Sequence, residues 1–397
     1  MSVVLLAALA LSACTGSAVP RATKTTSTRA VTRRTVTPTT TPTGGVTATT
    51  HPTTTTTSPT GTIIEGLTWI SDTQGWALTV PSGCPSRGCT STVMETLNGG
   101  ISWVALGTIP DGSHEVPVSD IRFANSNDGY AFGPDLYQTT DGGQSWTAEP
   151  GPDVASLEVA GANVIRVSYA SSGCPGPCGI QVERAPIGGQ VWTPLYSYPS
   201  DMEVGAVQMV LWSPDDIYVV TFENPAGGAP DAQSSLLISH DGGATWSQRS
   251  DPCGYSGTTE NDTTAIAAAA DDVVGVICVP RYYGPDFVDI SGDGGSTFAA
   301  SVPLPAGLQF KLLALTSEES IFAATYADTG DSQLLVASHN GGSSWQQVAT
   351  EPPIAPPQYG YQGFLGFESP DVGRWIGNPL SLWTTTDGGS VWSQAQS

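Results

Sequence analysis

Positive charge is scarce in this chain. Its 397 residues include 13 Lys and Arg against 36 Asp and Glu, a formal net charge of −23. The few bases are unevenly placed. Arg21, Lys24, Arg29, Arg33 and Arg34 all precede residue 62, where there is no Asp or Glu. Residues 62–397 therefore hold 8 basic against 36 acidic side chains, a net of −28. Such a surface excludes nucleic acid as a partner, because phosphate binding needs Lys and Arg to displace counterions. It disfavours anionic lipid surfaces for the same reason. Basic proteins, cations and neutral glycans remain as partners. Long apolar runs are missing too, and none reaches the roughly 18 residues of a transmembrane helix. Histidine is limited to four. No Gly-x-Ser-x-Gly elbow, phosphate loop or EF-hand pattern occurs, so no cofactor is implied.

Val3 to Ala13 is an apolar run that ends in Leu11-Ser12-Ala13-Cys14. It is too short to span a bilayer and reads as the core of a signal peptide over residues 1–13. The tetrapeptide resembles a bacterial lipobox, although no Lys or Arg precedes the run. That resemblance implies acylation of Cys14 and an extracytoplasmic protein held on the cell membrane by lipid alone. Residues 14–61 follow as a linker dominated by Thr and Pro, as in Thr35-Val36-Thr37-Pro38. With almost nothing apolar to bury, ordering entropy is not offset, and a disordered stalk is expected.

The remainder, 62–397, is repetitive. Asp141-Gly142-Gly143-Gln144-Ser145-Trp146 recurs from Asp241 to Trp246 and from Asp387 to Trp392. Asn opens the copies Asn98–Trp103 and Asn340–Trp345, and Phe closes Asp293–Phe298. The most degenerate copy is Ile187–Trp192. The Gly-Gly pair and the aromatic three residues beyond it persist in all seven. Asp or Asn is expected to accept N–H groups two or three residues on, and glycine supplies the positive φ of a tight turn. Upstream of each copy an alternating apolar strand runs through a short polar turn into a second strand, as in Leu67–Ala77 and Ile121–Ala131. Each unit thus reads as strand A, turn, strand B, loop, strand C, Gly-Gly turn, strand D. Four antiparallel strands make one propeller blade. An all-β, seven-bladed propeller is predicted over 62–397, as a monomer.

The hexapeptide is similar to the Asp-box, or BNR repeat, of the sialidase superfamily. With its Gly-Trp/Tyr-Ala strands the chain looks closest to the photosystem II assembly-factor type of propeller. That resemblance implies a non-enzymatic scaffold. Asn98, Asp141, Asp241, Asp293, Asn340 and Asp387 are then structural.

Strand order puts A–B turns and Gly-Gly turns on one face, and B–C and D–A connections on the other. The longer, more variable connections lie on the second face, where binding usually resides on a rigid scaffold. Tyr196, Tyr198, Tyr255, Tyr282, Tyr283, Tyr359 and Tyr361 lie in or beside those loops and are the binding candidates. Tyr suits both protein and sugar contacts. The expected partner is an envelope protein or an extracellular glycan. Six further cysteines map to the same face. Cys84 with Cys89, Cys174 with Cys178, and Cys253 with Cys278 are expected as disulfides. The Cys-x4-Cys and Cys-x3-Cys spacings do not suit zinc, and no metal is predicted.

The rival reading is a glycoside hydrolase acting on a neutral sugar. Glycosidases need two carboxylates roughly 5–9.5 Å apart, and Glu223, Glu260 and Asp286 are the candidates. A sialidase is a poorer fit. Its Phe/Tyr-Arg-Ile-Pro sequence is absent, Ile121-Arg122-Phe123 being a weak imitation, and sialidases use six blades.

Overall fold

The computed structural model describes residues 62–395. The exceptions are 82–87, 111, 113, 115, 171–178, 199–202, 225–233, 251, 254, 257–258, 271, 281–283, 327–331 and 354–362. Cys14 and the predicted stalk lie outside the described residues. Seven antiparallel sheets follow one another along the chain. Blade 1 runs from Thr62 to Pro110, blade 2 from Asp120 to Glu149 and blade 3 from Val154 to Tyr198. Blade 4 spans Glu203 to Ser250, blade 5 Tyr255 to Ala300, blade 6 Leu312 to Glu351 and blade 7 Phe364 to Gln394. Each has strands A to D in sequence order, so the predicted propeller is the observed fold. Blade 5 adds a fifth, two-residue strand, Tyr255–Ser256, paired with the start of its strand A. No described helix is long and apolar enough to cross a membrane.

Packing follows from the strand pattern. Strands B and C are buried on both faces, as in Gly129–Phe132, Ile321–Ala324 and Ser234–Ser239. Strand D is the exposed outer edge; Ser247–Ser250 is exposed throughout. Short polar edges resist pairing with other chains. The core is divided into seven apolar clusters, one at each boundary between neighbouring blades. No blade buries its own faces alone, so the blades are stabilised as a ring.

The recurring glycine that opens strand B has a steric cause. In blades 1, 2 and 7 it pairs across the sheet with the aromatic that ends strand A, as Trp69 with Gly75, Phe123 with Gly129 and Phe367 with Gly373. The ring lies over the glycine. A Cβ at Gly129 would come within 2.8 Å of the Phe123 ring, and one at Gly373 within 2.7 Å of Phe367. Blades 4 and 6 substitute aliphatic pairs, Leu211 with Ile217 and Leu315 with Ile321.

Among the described residues no strand is exchanged between the first and last blades. Blade 1 is built only from Thr62–Pro110 and blade 7 only from Phe364–Gln394. Side chains close the ring instead. Leu67, Met94 and Trp103 of blade 1 pack with Ile376 and Leu382 of blade 7. The Ile64 N–H donates to the Pro379 carbonyl at 3.1 Å.

Candidate functional site

The two faces are separated by the chemistry of the Gly-Gly turns. In six blades the opening Asp or Asn accepts the N–H four residues on, at 2.7–3.0 Å, from Ser102, Ser145, Thr245, Thr297, Ser344 and Val391. The N–H three residues on, as expected, also acts on Asp141, Asp241, Asp293 and Asp387, and the reach extends one residue beyond it. Two glycines intervene, and their positive φ lets the chain curl a further step before returning to the carboxylate. A Ser or Thr two residues before the Asp completes the turn. Its hydroxyl donates to the carboxylate and accepts the N–H of the second glycine, as Thr139 does for Asp141 and Gly143. These bonds hold Asp293 down at about 2, with the Thr297 N–H as the largest cause. The first glycine N–H reaches the A–B turn of its own blade; Gly142 donates to the Asn127 carbonyl and Gly242 to that of Asp215. The A–B turns and Gly-Gly turns therefore share one face.

Blade 3, which lacks the Asp, borrows from its neighbour. The Gly188 N–H donates to the Tyr130 hydroxyl of blade 2 at 3.0 Å. The Trp192 indole N–H donates to Glu149 of blade 2. Arg166 lies 4.0 Å over the Trp192 ring and donates to Glu183 at 2.9 Å.

The described arginines of residues 62–397 all work at blade boundaries. Arg122 reaches Glu158, Arg166 lies 3.9 Å from Glu149, and Arg184 donates to the Gly242 carbonyl. Arg249 donates to the Ser296 carbonyl of blade 5, and Arg374 to the Asp72 carbonyl of blade 1. Arg87 and Arg281 lie outside the described residues.

Inside the ring is a cavity of about 720 Å³ lined by strand A of every blade. Each strand A enters from the loop face. Residues early in these strands, Glu65, Asp120 and the preceding Ser119 and Lys311, therefore lie toward that mouth. Asp120, Arg122 and Glu158 form one ion cluster. The Arg122 Nη1 donates to Asp120 at 2.7 Å and to the Ile121 carbonyl, and its Nε donates to Glu158 at 3.0 Å. Burial works against the Arg122 charge, but the two carboxylates outweigh it and keep the guanidinium charged. Burial pushes Glu158 up, and Arg122 pulls it back. Lys311 lies 5.5 Å from the centre of the Tyr326 ring. Glu65 is pushed up to about 7 by burial. Half-buried Val207, Leu312 and Phe364 add apolar surface to the wall.

The sequence candidates fall into three groups. Tyr196 packs against Trp246 with centroids 5.4 Å apart, and the Tyr198 hydroxyl meets Ser235 Oγ at 3.1 Å. Both side chains lie in the seam between blades 3 and 4. Asp286 is buried, accepts the Phe310 N–H at 2.8 Å, and is pushed up by burial. Glu223 and Glu260 lie on strands B of blade 4 and A of blade 5, and Tyr255 on the added strand; their side chains are not described. Tyr282, Tyr283, Tyr359, Tyr361, Cys84, Cys174 and Cys178 lie outside the described residues. Cys253 is bonded to Cys278, with Cα atoms 5.4 Å apart, and Cys89 is also disulfide-bonded.

Two histidines bridge acids. His114, on the loop face, meets Asp135 at 3.2 Å and Asp153 at 3.4 Å. His240, on the turn face, meets Asp216 at 2.9 Å, and Asp272 completes a group whose donor atoms lie within 4.8 Å of one another. His240 and Asp272 are exposed, and the Asp272 carbonyl serves the Gly294 turn as Asn127 serves Gly142. Turn chemistry accounts for that group.

Sequence reasoning missed the cavity acids Glu65, Asp120 and Glu158. Each is a single position on a different blade, and nothing local distinguishes a channel-lining carboxylate from a solvated one.

No family model and no curated protein matches the chain. Solved structures match its fold. YCF48 bound to D1 peptide aligns with a TM-score of 0.56 at 18% identity, covering 84% of this chain and 96% of that one. A GH74 xyloglucanase from Xanthomonas campestris aligns at 0.54 and 11% identity, covering 85% of this chain and 53% of the enzyme. The propeller domain of the Trilobed protease from Pyrococcus furiosus, described as having an open velcro topology, aligns at 0.50 and 9% identity, covering 85% and 98%. At these identities the likeness is one of fold.

Proposed function

We propose that this chain is an extracytoplasmic, lipid-anchored, non-catalytic scaffold. Its propeller binds an envelope protein at the loop-face mouth of the central cavity. The Leu11–Cys14 lipobox carries the anchor, and the Thr/Pro segment to residue 61 spaces the propeller from the membrane. The observation that carries the scaffold reading is the engagement of two of the three cavity acids. Asp120 and Glu158 are both tied to Arg122, so they make a braced wall rather than an acid and base poised on a sugar. Asp286, the described candidate for glycoside hydrolysis, is committed to the Phe310 N–H. A propeller of this fold holds a peptide in the YCF48 complex, which supports a polypeptide partner here. The fold likeness to a xyloglucanase keeps an extracellular glycan as the alternative ligand.

Crosslinking of the intact protein in its own envelope, against a control carrying residues 1–61 alone, tests this. Reproducible enrichment of a protein partner supports the scaffold. Enrichment of none overturns it in favour of glycan binding or hydrolysis.

A further inference from the structure

The cavity is asymmetric. Its acids, Glu65, Asp120 and Glu158, come from blades 1, 2 and 3, while blades 4 and 5 contribute no charged side chain. Asp120 and Glu158 are paired through Arg122. Arg122 in turn directs three donor atoms, Nε, Nη1 and Nη2, at those carboxylates, so it has little to offer an incoming anion. Glu65 differs. Among the described residues it has no hydrogen-bond or ion partner, and burial is the one cause acting on its titration. It stands beside Gly66, whose missing side chain leaves room for Asp120; a Cβ there would lie 2.9 Å from Asp120 Oδ1. Elsewhere on the cavity wall, the half-buried Val207 and Leu312 offer apolar surface.

We propose that this cavity takes a lysine or arginine side chain of the bound polypeptide, its cationic head at Glu65 and its methylene stem along Val207 and Leu312. This rests on the scaffold reading and names the recognition chemistry of the same mouth. A cationic head on an apolar stem matches a carboxylate that shares its cavity with partly exposed aliphatic side chains. Residues 62–397 carry a net of −28, which draws cations toward the propeller as a whole. The other titratable groups lining the cavity are Asp120, Arg122, Glu158, Tyr169, Lys311 and Tyr326. Lys311 is the one basic group besides Arg122, and it sits on blade 6 against Tyr326. A bound cation favours the ionised form of Glu65, so binding strengthens as pH rises through 7.

The test uses the full chain and three acetylated, amidated pentapeptides with Lys, norleucine or Glu at the centre of four alanines. Dissociation constants are read by NMR titration at pH 8. The Lys peptide is expected to bind at least tenfold more tightly than the norleucine peptide, with the Glu peptide weaker still. Glu65→Gln is expected to erase the Lys preference while leaving the unfolding transition cooperative. A Lys-to-norleucine ratio near one in the wild-type protein overturns the proposal, whatever the variant does. So does a preference that persists in a folded Glu65→Gln. If the variant still captures the wild-type envelope partner on crosslinking, the scaffold reading stands and the lysine site alone falls.

Discussion

The guanidinium carbon of Arg374 lies 4.4 Å from the centre of the Trp69 ring, with blade 7 on one side of the contact and blade 1 on the other. Arg374 is 1% exposed. Its Nη2 donates to the Asp72 carbonyl at 3.0 Å, and its Nη1 lies 3.9 Å from Glu368. Among the described residues no exchanged strand ties these two blades, and this residue joins an apolar cluster and the Ile64–Pro379 backbone bond in closing the ring.

Replacing Arg374 therefore weakens the whole propeller. Arg374→Ala leaves Glu368 buried without its partner and removes the stacking on Trp69. Losses of about 3–5 kcal/mol accompany such removals. Arg374→Lys is expected to recover little, because an ammonium neither stacks flat on an indole nor spans the same contacts. Denaturant unfolding of both variants beside the wild type measures this. A loss below about 1 kcal/mol for the alanine variant would show that the apolar cluster closes the ring alone.

The Gly-Gly turns make a milder prediction with a built-in control. Asn already replaces Asp at Asn98 and Asn340, where the same N–H four residues on is bound at 2.9–3.0 Å. Asp141→Asn should accordingly keep the turn, while Asp141→Ala leaves the Ser145 N–H without its acceptor. By analogy with helix caps the alanine variant loses about 1 kcal/mol. Thermal unfolding of the two variants separates them, and equal melting temperatures would remove the carboxylate from the account of the turn.

The repeat made the fold legible before any coordinates. Seven Gly-Gly copies fixed the blade number, and the A–B and C–D turns could be assigned to one face from strand order alone. The boundary chemistry was not legible. Trp76 stacks on Phe123 at 3.9 Å, Arg122 meets Glu158, and Arg374 covers Trp69, each pair drawn from different blades. A single repeat read along the chain says what its own turn needs. It does not say which residue of the next blade will face it. The same limit hid Glu65, Asp120 and Glu158, which converge only when the ring closes. Tyr196 and Tyr198 were visible as aromatics near loops, but burial between blades 3 and 4 is a property of neighbours.

Glu65 also links the cavity to pH. Burial raises its folded-state value from 4.5 to about 7. The folded protein thus holds this proton more tightly than the unfolded chain does between those values. The favourable contribution is complete below about 4.5 and is lost as pH rises to about 7. Glu368 acts in the same sense, pushed up to about 7 by burial against the pull of Arg374. Asp293 acts in the opposite sense and in another window. Its folded value is lowered to about 2, so its contribution is lost only as pH falls below the ordinary carboxylate range. Glu65→Gln should therefore flatten the fall in stability between pH 4.5 and 7.5, with the variant gaining on the wild type toward the upper end. Denaturant midpoints across that range check it. A constant offset between the two proteins would mean that Glu65 titrates normally.

Asp286 separates the scaffold from the hydrolase. As a structural acceptor it needs one oxygen for the Phe310 N–H, 2.8 Å away. Asparagine supplies that oxygen, so Asp286→Asn should unfold close to the wild type and capture the same envelope partner. Alanine does not, and leaving a buried N–H unsatisfied costs about 1–3 kcal/mol. A catalytic acid or base responds in the other order. Asparagine neither donates nor accepts the transferred proton, so hydrolysis would be abolished in Asp286→Asn while the fold remained intact. The pair of variants thus reads the role of this carboxylate from which substitution does the harm: alanine through stability if it braces the Phe310 segment, asparagine through turnover of a neutral oligosaccharide if it acts on sugar.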